Sequence, residues 1–321
     1  MPKQMLKQWI VLAFVAIASP PLIAQTALPG AQQKRAPGPP TQSATEWQRK
    51  HDMALKFESL VDFYNAMKKE AASKQRAPLP DWAGIWTADS VDSFAACLGG
   101  SQCYFRPAPG GTVGPKLTPV AIAELKRGEE MRAKGLIYDD NLSACGPAGF
   151  PRWLTEPFMR EQIVTLDETW VLTEQANEIR RIYTDGRGHT PEADRYPLPE
   201  GDSIGFWDGQ KLVIHTNQLQ SRPMGRNQPT QSENMETVEI WERVDANTIA
   251  IDVWLFDPRL YLEPWYVQRL YKLVPNPDKS LRIRYWDCSE NPNNDVTRTQ
   301  EGATDYKGFT FTNKSNSQSN H

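Results

Sequence analysis

The densest group of side chains that could do chemistry lies at the end of one predicted strand and in the turn after it. It consists of Arg180, Arg181, Tyr183, Asp185, Arg187 and His189. The arginines could bind a carboxylate, and His189 could serve as an acid or base near neutral pH beside the phenol and the carboxyl group. The alternative is structural: Asp185 and the glycine after it build a hairpin turn, the arginines satisfy carbonyls or carboxylates, and His189 closes the loop.

A second histidine, His215, follows the apolar run 212–214. Together with His189 and a carboxylate such as Asp252 or Glu239 it could hold a metal ion, but the spacing matches no metal motif. We therefore predict no metal and no cofactor. Asp252 could instead act with another carboxylate as general acid and base in elimination, isomerisation or glycoside cleavage, whereas the structural alternative is pairing across a strand ladder.

Tryptophan is abundant, with 11 residues in the chain, and several fall in predicted strands. Aromatic lining suits a sugar, a steroid-like ring or a phenolic compound, although core filling is the ordinary role of any single tryptophan. The predicted ligand-binding residues are Arg181, Arg187, Trp207, His215, Trp241, Trp254 and Trp265.

Several common catalytic motifs are absent from the sequence. It has no Ser-x-x-Lys, no His-Glu-x-x-His, no phosphate-binding loop and no dinucleotide-binding glycine motif. Their absence argues against kinases, dehydrogenases and the hydrolases that use these motifs.

The strands that must position these groups are predicted from apolar and alternating runs between turn residues. They lie at 81–87, 161–166, 168–175, 178–184, 202–207, 211–217, 236–244, 247–256, 265–273 and 281–287. Hairpin turns are predicted at Asp185-Gly186, Asp208-Gly209 and 245–247. Short strands joined by tight turns favour an antiparallel meander closed into a barrel, with a β-sandwich as the alternative.

The chain divides into five predicted segments. Helical spacing of apolar residues predicts an amphipathic helix at 45–73, and Thr118 as N-cap with Pro119 at N1 predicts a second helix that ends at Lys134. The segments are a signal peptide (1–24), a disordered leader (25–44), a helical extension (45–77), a β-barrel domain (78–292) and a disordered tail (293–321).

The first residues have the three-part pattern of a secretory signal peptide. Lys3 and Lys7 precede an apolar run of about ten residues, which is too short to span a bilayer. We therefore expect a periplasmic or secreted protein. The formal charge is -3, so neither nucleic acid nor an anionic membrane is expected as a partner. The expected partner is a small molecule.

Four cysteines entering an oxidising compartment predict disulfides. Pairing Cys97 with Cys103 closes a small loop, and pairing Cys145 with Cys288 joins an early part of the chain to a late one. Three connectivities are possible for four cysteines, and the other two stay open.

Several motifs together resemble a family of exported bacterial proteins that are described only as hypothetical or lipocalin-like. The resemblance covers about residues 80 to 290, and its motifs are Trp82-Ala-Gly-Ile-Trp86, Cys145-Gly-Pro-Ala-Gly-Phe-Pro-Arg152, Arg180-Arg-Ile-Tyr-Thr-Asp-Gly-Arg187-Gly-His189, Ser203-Ile-Gly-Phe-Trp-Asp-Gly209, Trp241-Glu-Arg243, Asp257-Pro258 and Pro264-Trp265. Relatives tend to carry aspartate where this chain has His215. The resemblance implies an exported lipocalin-like barrel and brings no defined activity.

The predicted function is binding of a small, partly apolar or aromatic molecule in the barrel cavity. One alternative is a cofactor-free lyase or isomerase acting on a phenolic, steroid-like or sugar molecule in the same cavity. The other alternative is a structural or interaction protein with an exposed aromatic surface.

Overall fold

The computed structural model describes residues 43–75, 77–88, 115–138, 141–276, 279–288, 296–298 and 303–306. The helices are α1 (Ala44–Ala54), α2 (Leu60–Ala71) and α3 (Pro119–Ala133). The strands are β1 (Ile85–Ala88), β2 (Ile137–Tyr138), β3 (Arg160–Val164), β4 (Glu168–Thr173), β5 (Ile179–Tyr183), β6 (Asp202–Asp208), β7 (Lys211–Asn217), β8 (Arg222–Pro223), β9 (Thr230–Gln231), β10 (Glu236–Asp245), β11 (Thr248–Phe256), β12 (Trp265–Leu273), β13 (Val296–Arg298) and β14 (Ala303–Tyr306). Among the described helices, none combines the length and the apolar character that crossing a membrane requires.

Nine of the described strands close into a barrel. Their order around the ring is β1-β12-β11-β10-β7-β6-β5-β4-β3. On β11 the alternate residues Ile249, Ile251, Val253 and Leu255 are fully buried in one apolar cluster, as the period-two side-chain alternation of a strand requires. The predicted β-barrel is thus confirmed over the β-sandwich.

One neighbouring pair in the ring, β5 and β6, is parallel, with Ile182 opposite Ser203 and Tyr183 opposite Ile204. In a closed ring of antiparallel neighbours the strand directions alternate, so an odd number of strands requires a parallel pair. The hairpin predicted at Asp185-Gly186 is therefore wrong, and the chain returns through 184–201 before β6 begins. The hairpins at Asp208-Gly209 and 245–247 are confirmed.

The segment before β3 packs against the interior side chains of the barrel. Phe150, Trp153 and Leu154 are buried in the same cluster as the β11 side chains. Arg160 anchors this segment because its guanidinium donates to the backbone carbonyls of Trp153, Glu156 and Phe158. Aromatic and aliphatic side chains therefore pack together in the part of the interior that the structure describes.

A second apolar cluster lies outside the barrel, between the sheet and helices α1 and α2. Phe63 of α2 packs edge-on against Trp254 at 5.1 Å between ring centroids, and Lys50 of α1 pairs with Asp252 at 2.5 Å. The single helix predicted over 45–73 is divided because Ser59 caps a new helix by accepting from the Asp62 N–H.

The late part of the chain differs from the prediction in two places. The strand expected at 281–287 does not form, because side-chain amides take the backbone groups that a neighbouring strand would need: Asn276 bonds Leu281, and Asn177 bonds Trp286. Within the expected tail, β13 pairs with β14, which pairs with β2.

The Cys145–Cys288 disulfide is confirmed and links residues separated by 143 positions. Cys97, Cys103 and the predicted signal peptide lie outside the described residues.

Candidate functional site

A cleft of about 440 Å³ opens beside the parallel pair of strands, within the size range of small-molecule sites. β5 and β6 are paired only at Ile182 and Tyr183, so the edge of β5 before Ile182 has no β6 partner. The cleft occupies this gap and is lined by Glu178, Ile179, Arg181, Tyr183, Thr190, Tyr196, Leu198, Pro199, Glu200, Gly201, Asp202, Ser203 and Gln218.

Two carboxyl groups face each other in this lining. Glu178 is 7% exposed, and its Oε1 accepts a hydrogen bond from the Gly149 N–H at 3.2 Å. Glu178 Oε2 and both carboxyl oxygens of Glu200 are buried, and the two carboxyl groups lie within hydrogen-bond reach of each other. We call Glu178 and Glu200 the carboxyl pair.

The surroundings separate the acidities of the carboxyl pair. Burial raises the pKa of Glu178, while the Gly149 N–H and the nearby charge of Arg222 act in the opposite direction. Burial, followed by the charge of Glu178, raises the pKa of Glu200 well above its ordinary value. Two close carboxyl groups cannot both ionise at low cost, so the arrangement supplies one protonated acid and one carboxylate.

A cation and aromatic rings form the outer wall of the cleft. The Arg181 guanidinium stacks on Trp170 at 4.3 Å from the ring centroid, and no carboxylate in the described ranges forms an ion pair with it. Tyr196 is 64% exposed. The guanidinium of Arg187 stacks on the ring of Tyr183, with its Cζ 4.0 Å from the ring centroid. The wall can therefore contact an apolar or aromatic ligand and bind an anionic group.

A row of titratable groups starts at the cleft and runs under α2. Asp202 accepts from the Thr190 N–H at 2.7 Å and lies 3.2 Å from His189 Nδ1. His189 Nε2 is 2.6 Å from His215 Nδ1, and His215 Nε2 is 3.5 Å from Glu236. Adjacent histidines at this distance can share a proton through one N–H···N bond.

Burial disfavours a positive charge on His215, in the middle of this row. It lowers the pKa of His215, with Glu236 acting in the opposite direction. Burial acts to raise the pKa of Asp202, but hydrogen bonds from His189 and Thr190 outweigh it and lower that pKa. The imidazole of His215 is fully covered and packs against Tyr64 of α2, at 5.6 Å between ring centroids.

The structure brings some of the predicted catalytic residues to the cleft and leaves others apart. Tyr183 lines the cleft, and His189 bonds Asp202 at its border. Asp185 is bound to Arg187 by a paired ion contact of 2.5 Å on the surface. Asp252 lies on the outer face of the barrel, where Lys50 and the Tyr266 hydroxyl bind it.

The predicted ligand-binding tryptophans lie away from the cleft, in three different surroundings. Trp241 and Trp265 are buried in the interior cluster. Trp254 lies in the outer cluster under α2, and Trp207 packs against Trp82 at 5.6 Å between ring centroids. Of the predicted ligand-binding residues, Arg181 lines the cleft. His215 contacts His189, which in turn contacts Asp202 in the lining.

Sequence reasoning missed the carboxyl pair. Glu178 comes immediately before β5 and Glu200 shortly before β6, so both lie near the starts of their strands. The starts of neighbouring parallel strands meet at one edge of a sheet. Recognising β5 and β6 as parallel would have placed the two carboxyl groups together.

Among the described residues, no group of three or more His, Cys, Asp or Glu side chains is arranged to hold a metal ion. The carboxylates considered as partners of His189 and His215 are engaged elsewhere, Asp252 with Lys50 and Glu239 with Arg180. Comparison with known proteins finds no matching family model, no matching curated protein and no matching solved structure.

Proposed function

We propose that this protein binds a small, partly apolar or aromatic molecule that carries an anionic group, in the cleft beside β5 and β6. The observation that carries this proposal is the joint lining of the cleft by Ile179, Leu198 and Tyr196 together with Arg181. An apolar wall with a few polar groups is the usual composition of a ligand site. A stacked guanidinium without a carboxylate partner is ready to bind a ligand carboxylate.

We propose an exported, periplasmic or secreted protein with a lipocalin-like barrel, and helices α1 and α2 as its extension. The negative formal charge of -3 supports a small-molecule ligand over nucleic acid or an anionic membrane. The apolar packing of the described interior supports placing the ligand in the cleft of the wall, outside the barrel core.

The apolar packing of the described interior equally supports a second candidate, a structural or interaction protein without a ligand. A binding screen separates the two. Phenolics, steroids and oligosaccharides, each with and without a carboxylate, are added to the purified protein, and thermal shift and tryptophan fluorescence are recorded. We expect the carboxylated aromatic compounds to raise the melting temperature.

Arg181→Ala tests the position of the site. We expect it to weaken binding of the carboxylated compounds about tenfold, the loss of one charge-assisted contact. Arg132→Ala, which removes an exposed arginine in the last turn of α3, is the matched control and should bind as the unmodified protein does. The binding function is rejected if no compound shifts the transition, and the cleft is rejected if both variants bind alike.

A further inference from the structure

We infer that the cleft is a cofactor-free proton-transfer site in which Glu178 is the general base and Glu200 the general acid. The substrate class is a small molecule with an acidic C–H bond next to a carbonyl group. The inference rests on the proposed function, because the substrate is the ligand of the same cleft.

The position of the carboxyl pair is the first support. Both groups line the cleft where the strand pairing of the wall is interrupted. Glu178 is more than nine-tenths buried, and its carboxyl group lies within hydrogen-bond reach of that of Glu200. A proton can therefore pass between the carboxyl pair and a ligand group that binds in the cleft.

The division of roles follows from what surrounds each group. The Gly149 N–H donates to Glu178 Oε1, which stabilises Glu178 as the carboxylate. Arg222 also favours this ionised form through its charge. Burial raises the pKa of both carboxyl groups, and the negative charge of Glu178 raises that of Glu200 further. Environments that push two carboxyl groups apart in acidity assign one as base and the other as acid.

The reaction needs no further reagent. Glu178 removes the proton from the carbon next to the substrate carbonyl, the electrons of that C–H bond form a C=C bond, and the carbonyl oxygen takes the proton of Glu200 to give an enol. Glu178 then returns its proton to a different carbon of a conjugated enol, and Glu200 recovers its proton from the enol oxygen. The net change is an isomerisation without oxidation or reduction.

A ring-opening probe tests the base directly. Removal of the C3 proton of 5-nitrobenzisoxazole breaks its N–O bond and forms a nitrile and a coloured phenolate, so base catalysis can be followed by absorbance. We expect the purified protein to open the probe and Glu178→Gln to lose about 100-fold in rate. Glu129→Gln, an exposed position on α3, should keep the rate. Equal rates for the unmodified protein and Glu178→Gln overturn the inference.

Infrared spectroscopy tests the acid without any ligand. At pH 7 we expect the C=O stretch of one protonated carboxyl group that disappears in Glu200→Gln and persists in Glu129→Gln. If the unmodified protein lacks this band, the inference fails whatever the protein binds. Fluorescence titration with the probe separates the two proposals: a probe that binds in the cleft and is not opened refutes proton transfer and leaves the binding function standing.

Discussion

Arg180 of β5 and Glu239 of β10 form a paired ion contact inside the barrel, with Nη2 2.6 Å from Oε1 and Nη1 3.0 Å from Oε2. Their side chains are 1% and 0% exposed. Ser203 accepts from Nε of Arg180, Thr216 accepts from Nη2, and Trp241 donates to Glu239. The charges of both partners are thus compensated, and a buried ion pair is tolerated only under that condition.

Breaking this ion pair on one side should be more harmful than replacing both partners. We expect Glu239→Leu to lower the free energy of unfolding by about 3–5 kcal/mol, because Arg180 is left buried without its counter-charge. The double variant Arg180→Met/Glu239→Leu should recover most of that loss, as measured by urea unfolding. A double variant as unstable as the sum of both single variants would contradict this account.

Gly149 connects the backbone to the carboxyl pair, and its replacement should affect both stability and the cleft. Its φ is +72°, and an added Cβ would lie 2.9 Å from Arg222 Cδ and 3.1 Å from the Pro199 carbonyl oxygen. Gly149→Ala should cost about 1–2 kcal/mol for the left-handed backbone alone, and more for these contacts. It should also weaken binding of the aromatic compounds.

Gly209→Ala is the matched control for this substitution. Gly209 has a φ of +65°, and an added Cβ there would meet no atom within 4 Å. Thermal unfolding of both variants therefore separates the backbone cost from the contact cost. Equal losses of stability would show that the contacts of Gly149 contribute nothing.

The strand positions could be predicted from the sequence because they depend on local alternation and turn residues. β7 and β12 have the predicted bounds, and the alternation of β11 identifies its buried face. The parallel pair could not be predicted in this way, since it follows from the number of strands in the closed ring. The turn at Asp185 is real, but it turns the chain into a crossover rather than into a hairpin.

The candidate site was predicted only in the part that lies on one stretch of chain. Arg181 and Tyr183 share an outer face of β5 and line the cleft, as their spacing indicates. Glu178 and Glu200 meet only because the crossover between β5 and β6 brings the chain back. Their role thus depends on tertiary structure, and the same holds for the Gly149 N–H that binds Glu178.

The histidine contact should make stability depend on pH. Burial lowers the pKa of His215 from its ordinary 6.5, so the unfolded chain binds more protons than the folded one once the pH falls below that value. The free energy of unfolding should therefore be fully retained above pH 6.5 and fall as the pH decreases toward the lowered pKa. His215→Gln removes the titrating group, so its unfolding midpoint in urea should fall less steeply over that range. Parallel curves for the two proteins would contradict the assignment.

The carboxyl pair should have the opposite effect on the pH dependence of stability. The pKa of Glu200 is raised above its ordinary 4.5 by burial and by the charge of Glu178, so the folded state keeps a proton that the unfolded chain releases. The stability that this proton contributes is present below pH 4.5 and is lost as the pH rises through the raised pKa.

The glutamine of Glu200→Gln cannot ionise. The free energy of unfolding of this variant, relative to that of the unmodified protein, should therefore increase as the pH rises. The control Glu129→Gln, on the surface of α3, should show no such increase. Urea unfolding at several pH values measures this difference. A difference that stays constant with pH would mean that Glu200 titrates in the folded protein as it does in the unfolded chain. If Glu200→Gln gains stability with rising pH and also fails to open the probe, the two results together have one meaning. The native Glu200 then lowers stability but is needed for the proposed chemistry.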